Sequence, residues 1–401
     1  MIANIGGGVL MWAVHFLSKS IGPEQYGLYI AYLAVVMCVP SIPLQMVLAH
    51  QTASALAVGK ERELAGMLRK ICLGTLFLWL AGCLAVFVFQ GTIIERWKIT
   101  NPVGIWVTLL VVLFSLWLPI FWGALQGQQN FLWLGWSMML NAAGRLGLAV
   151  VVVLVLGGYA AGMMSGVCLG LGAAVGIAVW QTRRIWTQPS LPFDWRTLLR
   201  QVIPLIFGFG AFQFLFTADT IFVKAYFDQD TAGFYGSAGT LSRALMWLVG
   251  PLAAVMFPRI VHSEAKSEKT DLMNLVLVGT GILAAVGAVM LSVLGPWIVR
   301  IVSGARFVEV ASSLLPWYAG AMVPLALANV LLNNLMARSF FRVVPALCLL
   351  AVGYGFALTR FHSSPVSVLK TLAFFNVLLL GVCAWGNWSI NQRGEASEGG
   401  F

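Results

Sequence analysis

Two arginines, one aspartate and a set of amides and hydroxyls stand inside stretches that are otherwise apolar, and they define the chemistry open to this chain. Arg145 has Asn141 one helical turn before it on the same face. Gln213, Thr217, Thr220 and Lys224 recur at the spacing of a single helix stripe. Gly236, Thr240, Arg243 and Trp247 repeat that spacing, and Asn329 and Asn333 share a face. Guanidinium groups bind phosphate through paired donors, and amides and hydroxyls suit the hydroxyls of a sugar. The stripes therefore fit walls that hold an anionic, polyhydroxylated ligand. Plainer roles compete residue by residue. Threonine in a span bonds to its own backbone, asparagine and glutamine join helices, and Lys224 can reach the interface along its stem. His15, with Lys19 one turn on, reads as a helix contact before it reads as a proton site.

Asp219 is the single acid deep in such a stretch. It can pair with Arg145 or Arg243, or it can bind a coupling proton or sodium ion. The ion pair is favoured because a buried charge needs a partner.

Other chemistry lacks its residues. The sequence has no G-x-x-x-x-G-K-[ST] loop, no H-E-x-x-H, no C-x-x-C and no carboxylate pair on one helix face. The six cysteines lie in apolar runs without metal or redox spacing. A non-enzyme without cofactor or metal is expected. The net charge of +10 does not mark a nucleic-acid partner, because no soluble basic face is available to carry one.

The elements that position these residues follow from composition. The chain is 60% hydrophobic and 9% charged, where soluble domains carry about a quarter charged residues. Too few charges exist to cover a water-facing surface. Apolar stretches come at 2–17, 26–48, 71–89, 103–125, 131–156, 159–179, 202–226, 234–257, 272–294, 314–336, 343–358 and 369–388. They are too long and too uniformly apolar for the alternating strands of a barrel, so about twelve transmembrane helices are expected. The first is short. The longest polar connection divides the chain into six-helix lobes at 1–180 and 201–390, with a cytoplasmic linker at 181–200 and a Gly/Ser/Glu-rich, disordered cytoplasmic tail at 391–401. With a cytoplasmic N-terminus, the loops on that side hold about twice the Lys and Arg of the opposite loops. Both termini are therefore expected in the cytoplasm.

The lobes repeat. Gly27-Leu28-Tyr29 returns as Gly233-Phe234-Tyr235, and Lys60 returns as Lys266, at one offset of 206. Leu125-Gln126-Gly127 with Phe131 returns as Leu335-Met336-Ala337 with Phe341, at 210. A nearly constant offset over six spans implies lobes of like orientation, related by an axis along the membrane normal.

At these residues the sequence resembles the multidrug/oligosaccharidyl-lipid/polysaccharide exporter superfamily, and within it the polysaccharide-biosynthesis, Wzx-type O-antigen flippase branch. The matching stretches are Ile21-Gly22-Pro23-Glu24-Gln25-Tyr26-Gly27-Leu28-Tyr29, Leu125-Gln126-Gly127-Gln128-Gln129-Asn130-Phe131, Asp219, Ala232-Gly233-Phe234-Tyr235-Gly236-Ser237-Ala238 and Phe257-Pro258-Arg259. The resemblance implies two lobes around a central cavity, alternating access, a lipid-linked oligosaccharide as substrate and a bacterial or archaeal inner membrane. Membrane lipids are the other expected partner, with a proton or sodium as the candidate coupling ion. A drug or cation exporter would rely on acidic cavity residues, and a glycosyltransferase on an acidic active site. A non-transporting component of a polysaccharide assembly complex would need no polar stripes.

Overall fold

Continuous hydrocarbon-length apolar sequence leaves the backbone one way to satisfy its own polar groups, and it takes it: every regular element is helical among the described residues, 2–265 and 272–398, of this computed structural model. The helices are α1 (Ile2–Ala13), α2 (Ser18–Met37), α3 (Ser41–Ala57), α4 (Glu61–Trp97), α5 (Val103–Gly127), α6 (Phe131–Leu154) and α7 (Tyr159–Trp186). There follow α8 (Trp195–Tyr226), α9 (Gln229–Ala265), α10 (Leu272–Val293), α11 (Gly295–Val302), α12 (Val308–Ala337), α13 (Val344–Arg360) and α14 (Pro365–Glu398). Among the described residues, 10 helical runs are long and apolar enough to cross a membrane. One of them, Gly6–Ala57, has 52 residues, enough for two crossings, and α9 adds a further helix of membrane length. The chain is an all-α, multi-pass membrane protein.

Span edges depart from the apolar stretches in instructive places. The stretch expected as one span at 26–48 is two helices, broken at Cys38–Pro40. Pro40 has no N–H to continue the helix and disfavours helical backbone at Val39. Within α2, Gly22 has φ 76° and ψ 172°, a conformation that only glycine adopts readily, and Pro23 starts the next helical segment. The apolar stretch 71–89 is the middle of a much longer α4, and α11 is a short helix that the apolar pattern did not mark. Helix α14 extends to Glu398, into the segment whose composition suggested a disordered tail, and 399–401 lie outside the described residues.

The chain forms two compact units, Met1–Phe209 and Gly210–Phe401, with the division falling inside α8. In the first, α6 and α7 make the most extensive pairing, and α5 packs on α3 and α7. The α6–α7 seam is close because Gly162, Gly166 and Gly170 line one face of α7. A Cβ at Gly170 would meet the Arg145 backbone nitrogen at 2.8 Å, and one at Gly166 would meet the Ala149 Cβ at 2.8 Å. Ser137 Oγ ties the same seam by donating to the Ala174 carbonyl at 2.9 Å. After α7, Arg69 of α4 donates to the carbonyls of Trp186 (2.6 Å) and Gln188 (2.5 Å), and Leu191 N donates to Arg62 O at 3.1 Å. In the second unit α12 packs on α9, α10 and α14, and most of its apolar length is buried.

The second unit repeats local backbone of the first. Between α5 and α6, Asn130 N donates to Leu125 O at 2.9 Å and Gln129 N to Gln126 O at 3.0 Å, with Gln129 at φ 57°. Between α12 and α13, Phe340 N donates to Leu335 O at 2.9 Å and Ser339 N to Met336 O at 3.1 Å, with Ser339 at φ 55°. The Leu125/Leu335 match therefore marks one turn built twice. Lys266 lies outside the described residues.

Candidate functional site

Among the described residues each unit buries one arginine, and the two have different surroundings. In the first unit Arg145, on α6, is 8% exposed and its Nη2 donates to the Tyr29 hydroxyl at 2.7 Å. Its buried Nε meets no acceptor. Among the described residues no carboxylate forms an ion pair with Arg145. Tyr29 lies fully buried on α2, one turn beyond Tyr26, whose hydroxyl is 2.9 Å from His15 Nδ1. His15 is fixed from behind by Ser18, which donates to its carbonyl at 2.7 Å. The break at Gly22 folds the chain between His15 and Tyr26 so that the two can meet. Asn141 is buried one turn before Arg145, and its carbonyl lies against Gly170. The motif around Gly22–Tyr29 thus supplies the hydroxyl that Arg145 bonds, that of Tyr29.

In the second unit Arg243, on α9, is held through Nε and Nη2 by three oxygens of α8. Nη2 donates to Asp219 Oδ1 at 2.7 Å and to Thr220 Oγ1 at 2.8 Å, and Nε donates to the Phe216 carbonyl at 3.0 Å. Asp219 is fully buried, and its Oδ2 accepts from the hydroxyls of Tyr235 (2.8 Å) and Tyr318. Of the two arginines the sequence offers Asp219, the structure pairs it with Arg243. One side chain from α9 and two hydroxyls, from α9 and α12, converge on one carboxylate of α8.

The other candidates are distributed. Thr217 donates to the Gln213 carbonyl at 2.9 Å, and Thr240 to the Gly236 carbonyl at 2.8 Å, both along their own helices. Lys224 is 2% exposed, so its stem is buried in protein. Asn333 donates to Asn329, to its carbonyl at 2.7 Å and to its Oδ1 at 3.1 Å. These amides start eleven residues beyond Tyr318 on α12, roughly 16 Å along the axis, and do not join the Asp219 cluster. Spacing missed the tyrosines. Tyr29 and Tyr235 are the matched ends of the Gly-x-Tyr repeat, which was the signal available, whereas Tyr318 carries none. It also missed Asn334, which donates to Asn387 Oδ1 at 2.6 Å, while Asn387 donates to Cys383 O at 2.8 Å and Leu331 O at 3.2 Å. Among the described residues no group of His, Cys, Asp and Glu is arranged to hold a metal.

A protein family described as polysaccharide biosynthesis protein matches residues 11–264. The chain belongs to that family. Solved structures agree on the fold. An inward-facing multidrug resistance MATE family transporter of the MOP superfamily superposes with a TM-score of 0.76 at 11% identity, covering 97% of this chain and 96% of that one. The lipid II flippase MurJ, in an inward closed conformation, gives 0.72 at 13% identity, covering 96% and 86%. A MATE structure in the bent conformation gives 0.61 at 11% identity, covering 99% and 93%. No curated protein matches the sequence significantly. This polysaccharide biosynthesis protein therefore has the fold of the MATE and MurJ transporters, and the Tyr29 and Tyr235 motifs and the buried Asp219–Arg243 pair lie within the matched family region.

Proposed function

We propose that this polysaccharide biosynthesis protein is a flippase that moves a lipid-linked oligosaccharide, a polysaccharide precursor, across the cell inner membrane by alternating access, with both termini cytoplasmic. The observation that supports the substrate class is Arg145. An arginine deep in a span is costly and is kept where it pairs or faces a polar path. Among the described residues Arg145 has a tyrosine and no carboxylate partner, which leaves the first unit a positive charge with an unused Nε–H. That combination suits an oxyanion such as the phosphate of a lipid carrier, held by charge-assisted bonds. Arg243 is the weaker candidate for that role, because Asp219 cancels its charge. The same neutralisation argues against a drug or cation exporter, which needs an acid free to bind its cargo.

The test is reconstitution of the purified chain in vesicles with a fluorescent polyprenyl-pyrophosphate oligosaccharide, its exposure followed by an impermeant lectin. A hydrogen bond to a charged group contributes roughly 1.5–3 kcal/mol, so Arg145→Ala should slow flipping roughly ten- to a hundredfold. Arg145→Lys should recover part of the rate, since a point charge lacks the paired donors. Normal flipping by a well-folded Arg145→Ala protein would remove Arg145 from the substrate path. No flipping by the parent chain, with MurJ-like controls active, would remove the function.

A further inference from the structure

Three oxygens on adjacent turns of α8 point at one cation. They are the Phe216 carbonyl, a carboxylate oxygen of Asp219 and the Thr220 hydroxyl, at 2.7 to 3.0 Å from the Arg243 guanidinium nitrogens. The ring faces of Phe216 and Tyr318 flank the same guanidinium, with centroids 5.5 and 5.4 Å from Cζ. Hard oxygen acceptors plus aromatic faces are the surroundings of a bound cation, and aromatic faces attract cations electrostatically. Here the cation is covalently part of α9. Asp219 has no acceptor capacity turned to a further ion, because its second oxygen already takes the Tyr235 and Tyr318 hydroxyls.

We propose that the α8–α9–α12 cluster is a cation-binding site that the protein keeps filled with its own Arg243, so that no exchangeable coupling cation binds at Asp219. A carboxylate buried in a span must be neutralised by a proton, a dissolved ion or a side chain. A tethered guanidinium is permanently charged and makes several directed bonds at once, so it outcompetes a dissolved ion that must be bound from bulk solution. The site should therefore discriminate for a planar, multiply donating cation. Removing the tether should open it: Arg243→Ala leaves Asp219, Thr220 and the Phe216 carbonyl around a space of guanidinium shape. Any energy source for translocation then enters elsewhere in the chain. This inference deepens the reading of Asp219 and holds whatever the substrate is.

The experiment reads binding and stability, so it does not depend on flipping. Radioactive sodium binding is measured on the purified parent chain and on Asp219→Asn, and melting is followed for the parent, Arg243→Ala and the double variant Asp219→Asn/Arg243→Ala. The parent should bind no sodium that Asp219→Asn removes. Breaking a buried pair should lower the melting temperature of Arg243→Ala by roughly 10 °C. Guanidinium chloride at low, non-denaturing concentration should restore most of that loss, more than sodium chloride at equal ionic strength. The double variant, with no unpaired carboxylate, should melt above Arg243→Ala and should not respond to guanidinium. Should Arg243→Ala fail to fold, recovery of folded protein when it is expressed or purified with guanidinium, or in the double variant, carries the same information. Sodium binding to the parent that depends on Asp219 would overturn the proposal. So would an Arg243→Ala protein that melts like the parent, or one destabilised but indifferent to guanidinium.

Discussion

Replacing Gly170 by alanine tests how α7 sets the position of Arg145. The added Cβ would lie 2.8 Å from the Arg145 backbone nitrogen and 3.2 Å from the Asn141 carbonyl carbon, and closer still to the Asn141 carbonyl oxygen. These are backbone atoms, so no side chain can rotate away. The helices must separate by several tenths of an ångström, and overpacking of this kind costs about 1–3 kcal/mol. Alanine regains up to about 1 kcal/mol of helix propensity over glycine. A net loss of about 1–2 kcal/mol is expected. Gly176, six residues on in the same helix, is the control, because an added Cβ there meets nothing within 4 Å. Gly176→Ala should be neutral or stabilising by up to about 1 kcal/mol. The two single-methyl changes should thus differ by about 2 kcal/mol, a few degrees in melting temperature measured by fluorescence-detected size exclusion. Gly170→Ala should also slow flipping more than its stability loss explains, since Arg145 moves with α6. Equal melting of the two variants would refute the argument that the α6–α7 contact at Gly170 is sterically limiting.

Two further outcomes follow. Arg69→Ala should leave the carbonyls of Trp186 and Gln188 without their donor and cost about 1–3 kcal/mol, read as faster limited proteolysis between Thr187 and Asp194; unchanged cleavage would mean that the segment is held by other contacts. In a cysteine-free background, Lys60→Cys should resist an impermeant thiol reagent applied outside intact cells while Gln229→Cys reacts, and labelling at position 60 would invert the proposed topology.

Much of the architecture was readable from the sequence, because lipid imposes one solution on a long apolar run. The helices around 103–125, 131–156 and 272–294 lie within two residues of their apolar stretches for that reason. The Leu125/Leu335 repeat was readable too, since a turn needs its residues at fixed spacing, and the structure shows the same bonds in both copies. Composition also identified Asp219 and Arg243 as charges that need partners. Spacing could not choose those partners. Whether Asp219 meets Arg145 or Arg243 depends on how α8 approaches α9 in space. The tyrosine hydroxyls of Tyr29, Tyr235 and Tyr318 acquire meaning only once α2, α9 and α12 bring them against a charge. The break at Pro40 and the continuation of α14 past Asn391 likewise rest on backbone geometry that a hydrophobicity pattern does not encode. Periodicity is a property of one helix, and these clusters are made where several helices meet, so tertiary packing decided which buried arginine meets the carboxylate and which meets a tyrosine.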